Sequence, residues 1–160
     1  MKYLIVGVLT SWLAATTAMA QTPNPQVMAP IQQFLDAFNK GDTAGAAKTH
    51  LADAGLTIID EVAPYIWRGA KAFDAWGAAL DADAKARTMT EPVVVLSGPP
   101  RTEASGDQAY VAVPVVYTFK QAGVAMRENA QMTFVLKRGA AGWLIHGWAW
   151  TGPKPVPAAK

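Results

Sequence analysis

Residues 108–137 read QAYVAVPVVYTFKQAGVAMRENAQMTFVLK, and the fold follows from how this stretch alternates. Val111, Val113, Val115, Tyr117 and Phe119 take turns with Tyr110, Ala112, Pro114, Val116 and Thr118. Beyond Gln121-Ala122-Gly123, the residues Ala130, Met132, Phe134 and Leu136 take turns with Asn129, Gln131, Thr133, Val135 and Lys137. A period of two gives each strand one face built for a core, so the stretch predicts a long antiparallel hairpin. Strands of about a dozen residues are roughly twice the usual length, and such a sheet has to curve. Pro114 inside the first strand predicts a bulge or an edge position. A curved sheet needs helices on its concave side, and those come earlier in the chain.

Ile31, Phe34, Leu35 and Phe38 recur at helical spacing, with Pro30 suited to the first turn and Gly41 to the stop. Asp42 suits the N-cap of a short alanine-rich helix running to about Thr49. Leu56 to Asp60 reads as a strand, Pro64 to Arg68 as a short extended piece, and Gly69 as a break. A third helix then carries Phe73, Trp76 and Leu80 on one stripe. Thr88 to Leu96 is the next strand, held to an edge or bulged by Pro92. Pro99-Pro100 and Ser105-Gly106-Asp107 are loop and turn signals. After the hairpin comes a turn at Gly139-Ala140-Ala141-Gly142, then a last strand from Trp143 to Trp150. Helices grouped on one side of an antiparallel sheet give an α+β domain, a cone-shaped curved sheet with three helices on its concave face.

The chain opens with Lys2, an apolar run from Tyr3 to Ala15, and Thr16-Thr17-Ala18-Met19-Ala20. That is the pattern of a cleaved secretory signal over residues 1–20, cut after Ala20. The apolar run falls short of the roughly 20 residues a membrane-spanning helix needs. With no cysteine, a lipoprotein attachment site and a disulfide framework are both excluded. The expectation is a periplasmic or secreted protein, off the membrane once the signal is removed. Residues 21–26 then form an unstructured leader, 27–152 the folded domain, and 153–160 a proline-rich tail. Of 14 basic side chains only Lys2 lies in the first twenty residues, leaving 13 against 12 acidic ones in dispersed positions. No nucleic-acid partner is expected of such a chain.

Four segments together resemble the nuclear transport factor 2-like superfamily, which includes SnoaL-like polyketide cyclases and ketosteroid isomerases. They are Ile31-Gln32-Gln33-Phe34-Leu35-Asp36-Ala37-Phe38-Asn39-Lys40-Gly41-Asp42, then Ile58-Ile59-Asp60, Arg68-Gly69 and Gly142-Trp143-Leu144-Ile145. The resemblance spans about Val27 to Gly152 and speaks to fold more than function. In the isomerase branch a tyrosine and a protonated aspartic acid form an oxyanion hole while a second aspartate moves the proton. By resemblance Asp60 stands at that base's position, Phe34 at the tyrosine's, and Met132 near the protonated acid's. Neither Phe34 nor Met132 can donate. Losing one such donor typically costs about 10²–10³ in rate, so steroid isomerase chemistry is not expected.

The residues themselves leave alternatives open. Asp60 follows Ile58 and Ile59. Turned into an apolar cavity it has a raised pKa and serves as a general base; at the rim it pairs with Arg68 or caps a turn. Tyr65, Trp67, Trp76 and Tyr117, with Phe34 and Met132, either line a ligand cavity or fill the core. His146 is either an acid–base partner of Asp60 or a packed strand residue. His50 is explained by the helix dipole. Two histidines far apart in sequence give no metal site, and no cofactor is expected. Nucleophile elbows and phosphate-binding glycine loops are absent.

Strict alternation in the last strand puts Trp143 and Ile145 on one face and Leu144, Trp148 and Trp150 on the other. Either both faces are covered, favouring a homodimer through the sheet face, or a bulge at Gly147 reunites the tryptophans. Three functions follow. The first is an exported domain binding a small apolar or cyclic ligand in the cone. The second is a proton-transfer enzyme of isomerase, cyclase or dehydratase type with Asp60 as base. The third is a homodimeric interaction module.

Overall fold

The computed structural model describes residues 24–159, so the expected signal of residues 1–20 lies outside the described part. Pro25–Asn39 forms α1 and Thr43–Lys48 forms α2. Two short strands, β1 (Thr57–Ile59) and β2 (Ile66–Arg68), lead into α3 (Ala72–Ala86). There follow β3 (Met89–Leu96), β4 (Arg101–Ser105), β5 (Gln108–Gln121), β6 (Val124–Gly139), β7 (Gly142–Thr151) and β8 (Val156–Pro157).

The hairpin β5–β6 is paired without interruption from Gln108↔Lys137 to Gln121↔Val124. Ala122 (φ 48°) and Gly123 (φ 83°) turn it, both left-handed as a two-residue turn between twisted strands demands. The sheet runs β2-β1-β7-β6-β5-β3, with β4 also beside β5 and β8 also beside β6. All pairs are antiparallel except β1 with β7, which makes the sheet mixed. Its two ends are not joined, so it is an open, curved α+β layer.

Pro114 sits at the point where the neighbour of β5 changes. β4 covers Gln108 to Ala112, and β3 covers Val115 to Gln121. The Pro114 carbonyl accepts from Ser97 N (2.9 Å) on that same side. In an antiparallel strand a residue's N and O face the same neighbour, so the missing N–H faces the gap between β4 and β3. The ladder with β6 is untouched. Pro92 is handled differently: the β3–β5 register shifts between Thr90 and Val93, and Glu91 there has φ 56°.

The inward stripes of β5 and β6 meet the helices. Val111, Val113, Val115, Met132, Phe134 and Leu136 are buried against Val27, Ile31, Phe34 and Leu35 of α1 and Phe73 and Trp76 of α3. The end of α1 is tied to β3 by Asn39, whose side chain donates to Val94 O (2.9 Å) and accepts from Val94 N (2.8 Å). Asp42 caps α2 by accepting from Gly45 N at 2.8 Å.

Three boundaries depart from the sequence reading. Helix α1 starts at Pro25, not after a leader ending at Gln26, because Asn24 caps it by accepting from Gln26 N and Pro25 needs no N–H there. Pro30 is therefore inside the helix rather than in its first turn. The segment Arg101–Ser105 is a strand despite its charges, since it needs only to pair with the end of β5. The tail is partly ordered too: Val156 and Pro157 pair with Arg127 and Met126.

The last strand takes the bulged form, with the bulge one residue before Gly147. Leu136 pairs with Ile145 and Val135 with Gly147, so His146 is the extra residue. The phase shift sets Ile145 and Trp148 on the same, buried face. Gly147 is needed there because a Cβ would come within 2.9 Å of the Thr57 carbonyl oxygen on β1.

Candidate functional site

Between α1, α3 and the inner faces of β5, β6 and β7 lies a cavity of about 60 Å³. Its walls are hydrocarbon and aromatic: Phe34, Leu80, Trp76, Met132, Trp148 and Trp150. A wider groove of about 440 Å³ adjoins it between α3, the α1–α2 corner and β3, sharing Phe38, Trp76, Leu80, Met89 and Tyr117.

Polar groups gather at one side, where Asp60, Glu61, Asp83 and Arg87 line the cavity. Asp60 leaves the end of β1 and is held by the β1–β2 turn, its N–H donating to Tyr65 O at 3.1 Å. Its Oδ2 accepts from the Trp76 indole N–H (2.6 Å) and its Oδ1 from Glu61 N (2.6 Å). Burial nevertheless raises its pKa, the hydrogen bonds from Trp76 and from the Glu61 and Val62 backbone opposing only in part. Arg87 donates to Asp83 (3.1 Å) and to Gln121 (3.4 Å).

Glu61 and Glu128 complete the cluster. Glu128 rises from β6, 1% exposed, with Oε1 accepting from Trp150 Nε1 at 2.8 Å. Gly152 leaves room for that carboxyl, since a Cβ there would overlap Glu128 Oε1. Glu128 Oε2 is buried without a hydrogen-bond partner, and the Glu61 carboxyl is a neighbouring like charge. Withdrawal from water, then the charges of Glu128 and Asp60, push Glu61 up to about 7. Burial raises Glu128 as well. Tyr117 is also raised, first by burial and then by Asp60, and stays a neutral phenol.

Of the residues singled out in the sequence, Asp60, Phe34, Trp76, Tyr117 and Met132 come together around the cavity. Tyr65 does not: it sits in the β1–β2 turn in the left-handed region (φ 76°) and is 60% exposed. Trp67 does not either. It is buried on β2 opposite Ile58, at the end of the sheet beneath α3. His146 is the bulged residue on β7, and its Nε2 meets Asp53 Oδ1 at 3.0 Å, away from Asp60. Asp53 also accepts from Gly55 and Leu56 N–H, which hold its pKa below the usual range, so this pair is built into the loop before β1.

His50 acts differently from a cation at a helix end. It is buried, and its pKa falls to about 4 because of that burial. Its Nδ1 lies 3.0 Å from Ala46 O and its Nε2 accepts from Trp148 Nε1 at 3.1 Å, a fully bonded neutral ring. Among the described residues no group of three His, Cys, Asp or Glu is arranged to hold a metal ion.

Glu128 was legible. It lies in phase with Ala130, Met132, Phe134 and Leu136, a charged residue on the core face of a strand, the kind of exception that marks a site. Glu61 was not, because it lies in a turn with no periodicity to orient it.

No protein-family model matches the sequence, and neither does any curated protein. Solved structures do match in shape. A nuclear transport factor 2-like superfamily protein from Salmonella enterica superposes with a TM-score of 0.68 at 16% identity, covering 81% of this chain and 89% of that one. A ketosteroid isomerase-like protein from Erwinia carotovora atroseptica gives 0.62 at 19% identity, covering 81% and 95%. A hexachlorocyclohexane dehydrochlorinase gives 0.63 at 17% identity, covering 82% and 88%. At these identities the likeness is one of fold, and with the open curved sheet and its helices it supports one conclusion: this chain has the nuclear transport factor 2-like fold.

Proposed function

We propose that the protein binds a compact, largely apolar or cyclic small molecule in the cavity and its adjoining groove. The observation that carries this reading is the asymmetry of the cavity: a hydrocarbon and aromatic enclosure with carboxyls gathered at one side. Sites of this make-up bury the bulk of a ligand against apolar walls and orient it with few polar groups. A thermal-shift screen of compact cyclic hydrocarbons, alcohols, ketones and amines tests it. At 100 times Kd a ligand stabilises by about 2.7 kcal/mol, and a screen in which no compound raises the melting temperature overturns the reading.

Asp60 supports a second reading, proton transfer on the bound molecule. It lines the cavity, has a raised pKa and stands where the resemblance sets a base. Phe34 and Met132, which line the same cavity, offer no donor for a developing oxyanion, which is why binding stands first. Exchange of deuterium into a bound cyclic ketone, followed by NMR, separates the two readings: exchange lost in Asp60→Asn supports catalysis, and no exchange in the wild type argues against it.

Export before action is part of the proposal and rests on residues 1–20. A second copy of the chain is the proposed partner of the outer sheet face, where Tyr110 and Val135 pair across strands and stay exposed. A single-chain mass by light scattering at high concentration removes that partner.

A further inference from the structure

We propose that the ligand of this cavity carries a positive charge: a compact aliphatic or cyclic ammonium ion whose charge lies against Asp60 and Glu61 and whose hydrocarbon meets the indole rings. This rests on the small-molecule reading above and names the class of molecule.

The first support is a charge left open. Glu128 is 1% exposed, and its Oε2 finds no donor, while the neighbouring ionisable group is another carboxyl, Glu61. Two acceptors facing one another need a positive charge between them. Without such a cation a proton supplies it: burial first, and then the charges of Glu128 and Asp60, push Glu61 up to about 7. The groups facing this pair relieve it only in part. Asp60 adds negative charge, Tyr117 is a neutral phenol, and the Arg87 guanidinium, which opposes the rise at both carboxyls, is shared with Asp83 at 3.1 Å.

The second support is the aromatic lining, which points to a ligand independently of the carboxyls. Trp76, Trp148 and Trp150 each commit the indole N–H elsewhere: to Asp60 at 2.6 Å, to His50 at 3.1 Å and to Glu128 at 2.8 Å. None of the three is left to donate to a ligand. The rings line the cavity and brace one another edge to face, Trp76 on Trp148 at 5.0 Å and 87°, and Tyr117 on Trp150 at 5.8 Å and 81°. A cation lying over the face of one of these rings is attracted by the ring quadrupole. A carboxylate accepting an indole N–H pushes electron density into that ring and strengthens the attraction. Anions are disfavoured by the same charges.

A cation taking the place of the shared proton releases that proton, so binding and ionisation are linked. Calorimetry of wild-type protein at pH 7.5 with cyclohexylammonium and with its neutral counterpart cyclohexanol, in two buffers of different ionisation heat, tests this. The expectation is affinity for the cation about tenfold or more above the alcohol, with net proton release on binding of the cation alone. In Glu128→Gln the release disappears and the preference for the cation over cyclohexanol shrinks. The wild-type comparison stands whether or not that variant folds. Cyclohexanol binding as tightly as the amine overturns the charge assignment and leaves the apolar pocket intact. Neither compound binding, together with an empty thermal-shift screen, overturns both.

Discussion

His50 shows what full burial does to a side chain that ordinarily ionises near neutrality. Its Nδ1–H donates to Ala46 O and its Nε2 accepts from the Trp148 indole, so a second ring proton would face a donor already in place. Its pKa drops from 6.5 to about 4. The unfolded chain therefore binds more protons than the folded one between those values, and folding stability falls as pH drops through that window, by about 3 kcal/mol in all. Glu61 works in the opposite sense. Its folded pKa is raised to about 7, so its contribution worsens as pH rises from 4.5 toward 7. The wild-type profile mixes both, and the difference from His50→Gln isolates the histidine. That variant should be less stable at pH 7.5 yet lose less stability between pH 6.5 and 4.5 in urea titrations. Parallel profiles would show that the ring does not titrate as its burial requires.

At the scale of elements, the bulge in β7 matters most. Without the extra residue at His146, Ile145 and Trp148 would lie on opposite faces of the strand, and an indole would be lost from the cavity. Gly147 also lets β1 pair in parallel with β7, and β1 leads directly into Asp60. Gly147→Ala would drive a Cβ to within 2.9 Å of the Thr57 backbone oxygen, which cannot rotate away as a side chain would. The expected cost is about 1–3 kcal/mol of stability by denaturant unfolding. Because β1 has to move, the hydrogen bond of Trp76 to Asp60 should loosen too, read as a changed indole N–H chemical shift. An unchanged shift with full stability would mean that β1 is not held by this contact.

For the molecule as a whole, the long hairpin is the frame and the pieces around it differ in importance. β8 adds only Val156 and Pro157 beside Arg127 and Met126, both exposed, with Ala158 N donating to Ala125 O at 2.9 Å. Deleting residues 153–160 should leave the melting temperature within about 2 °C, since surface changes away from a core are usually within ±0.5 kcal/mol. Amide exchange should quicken only near the hairpin tip, around Ala125 to Arg127. A large loss of stability would show that the tail carries more of the sheet than its pairing suggests.

The alternating pattern of residues 108–137, the helical stripes of Phe34 and Trp76 and the turn at Ala122-Gly123 determined the α+β layering by themselves, because side-chain period and turn chemistry are local properties. The apolar half of the cavity was legible for the same reason. Its polar half was not. Asp60, Glu61 and Glu128 meet only because a short parallel strand, a turn and the first half of a sixteen-residue strand converge, contacts spanning more than sixty residues of chain. His146 and Tyr65 looked equally eligible in sequence, and a one-residue bulge and a left-handed turn sent both elsewhere. Which ionisable groups share a low-dielectric space, and so which pKa values shift, is a property of three-dimensional distance, and only the tertiary structure decided it.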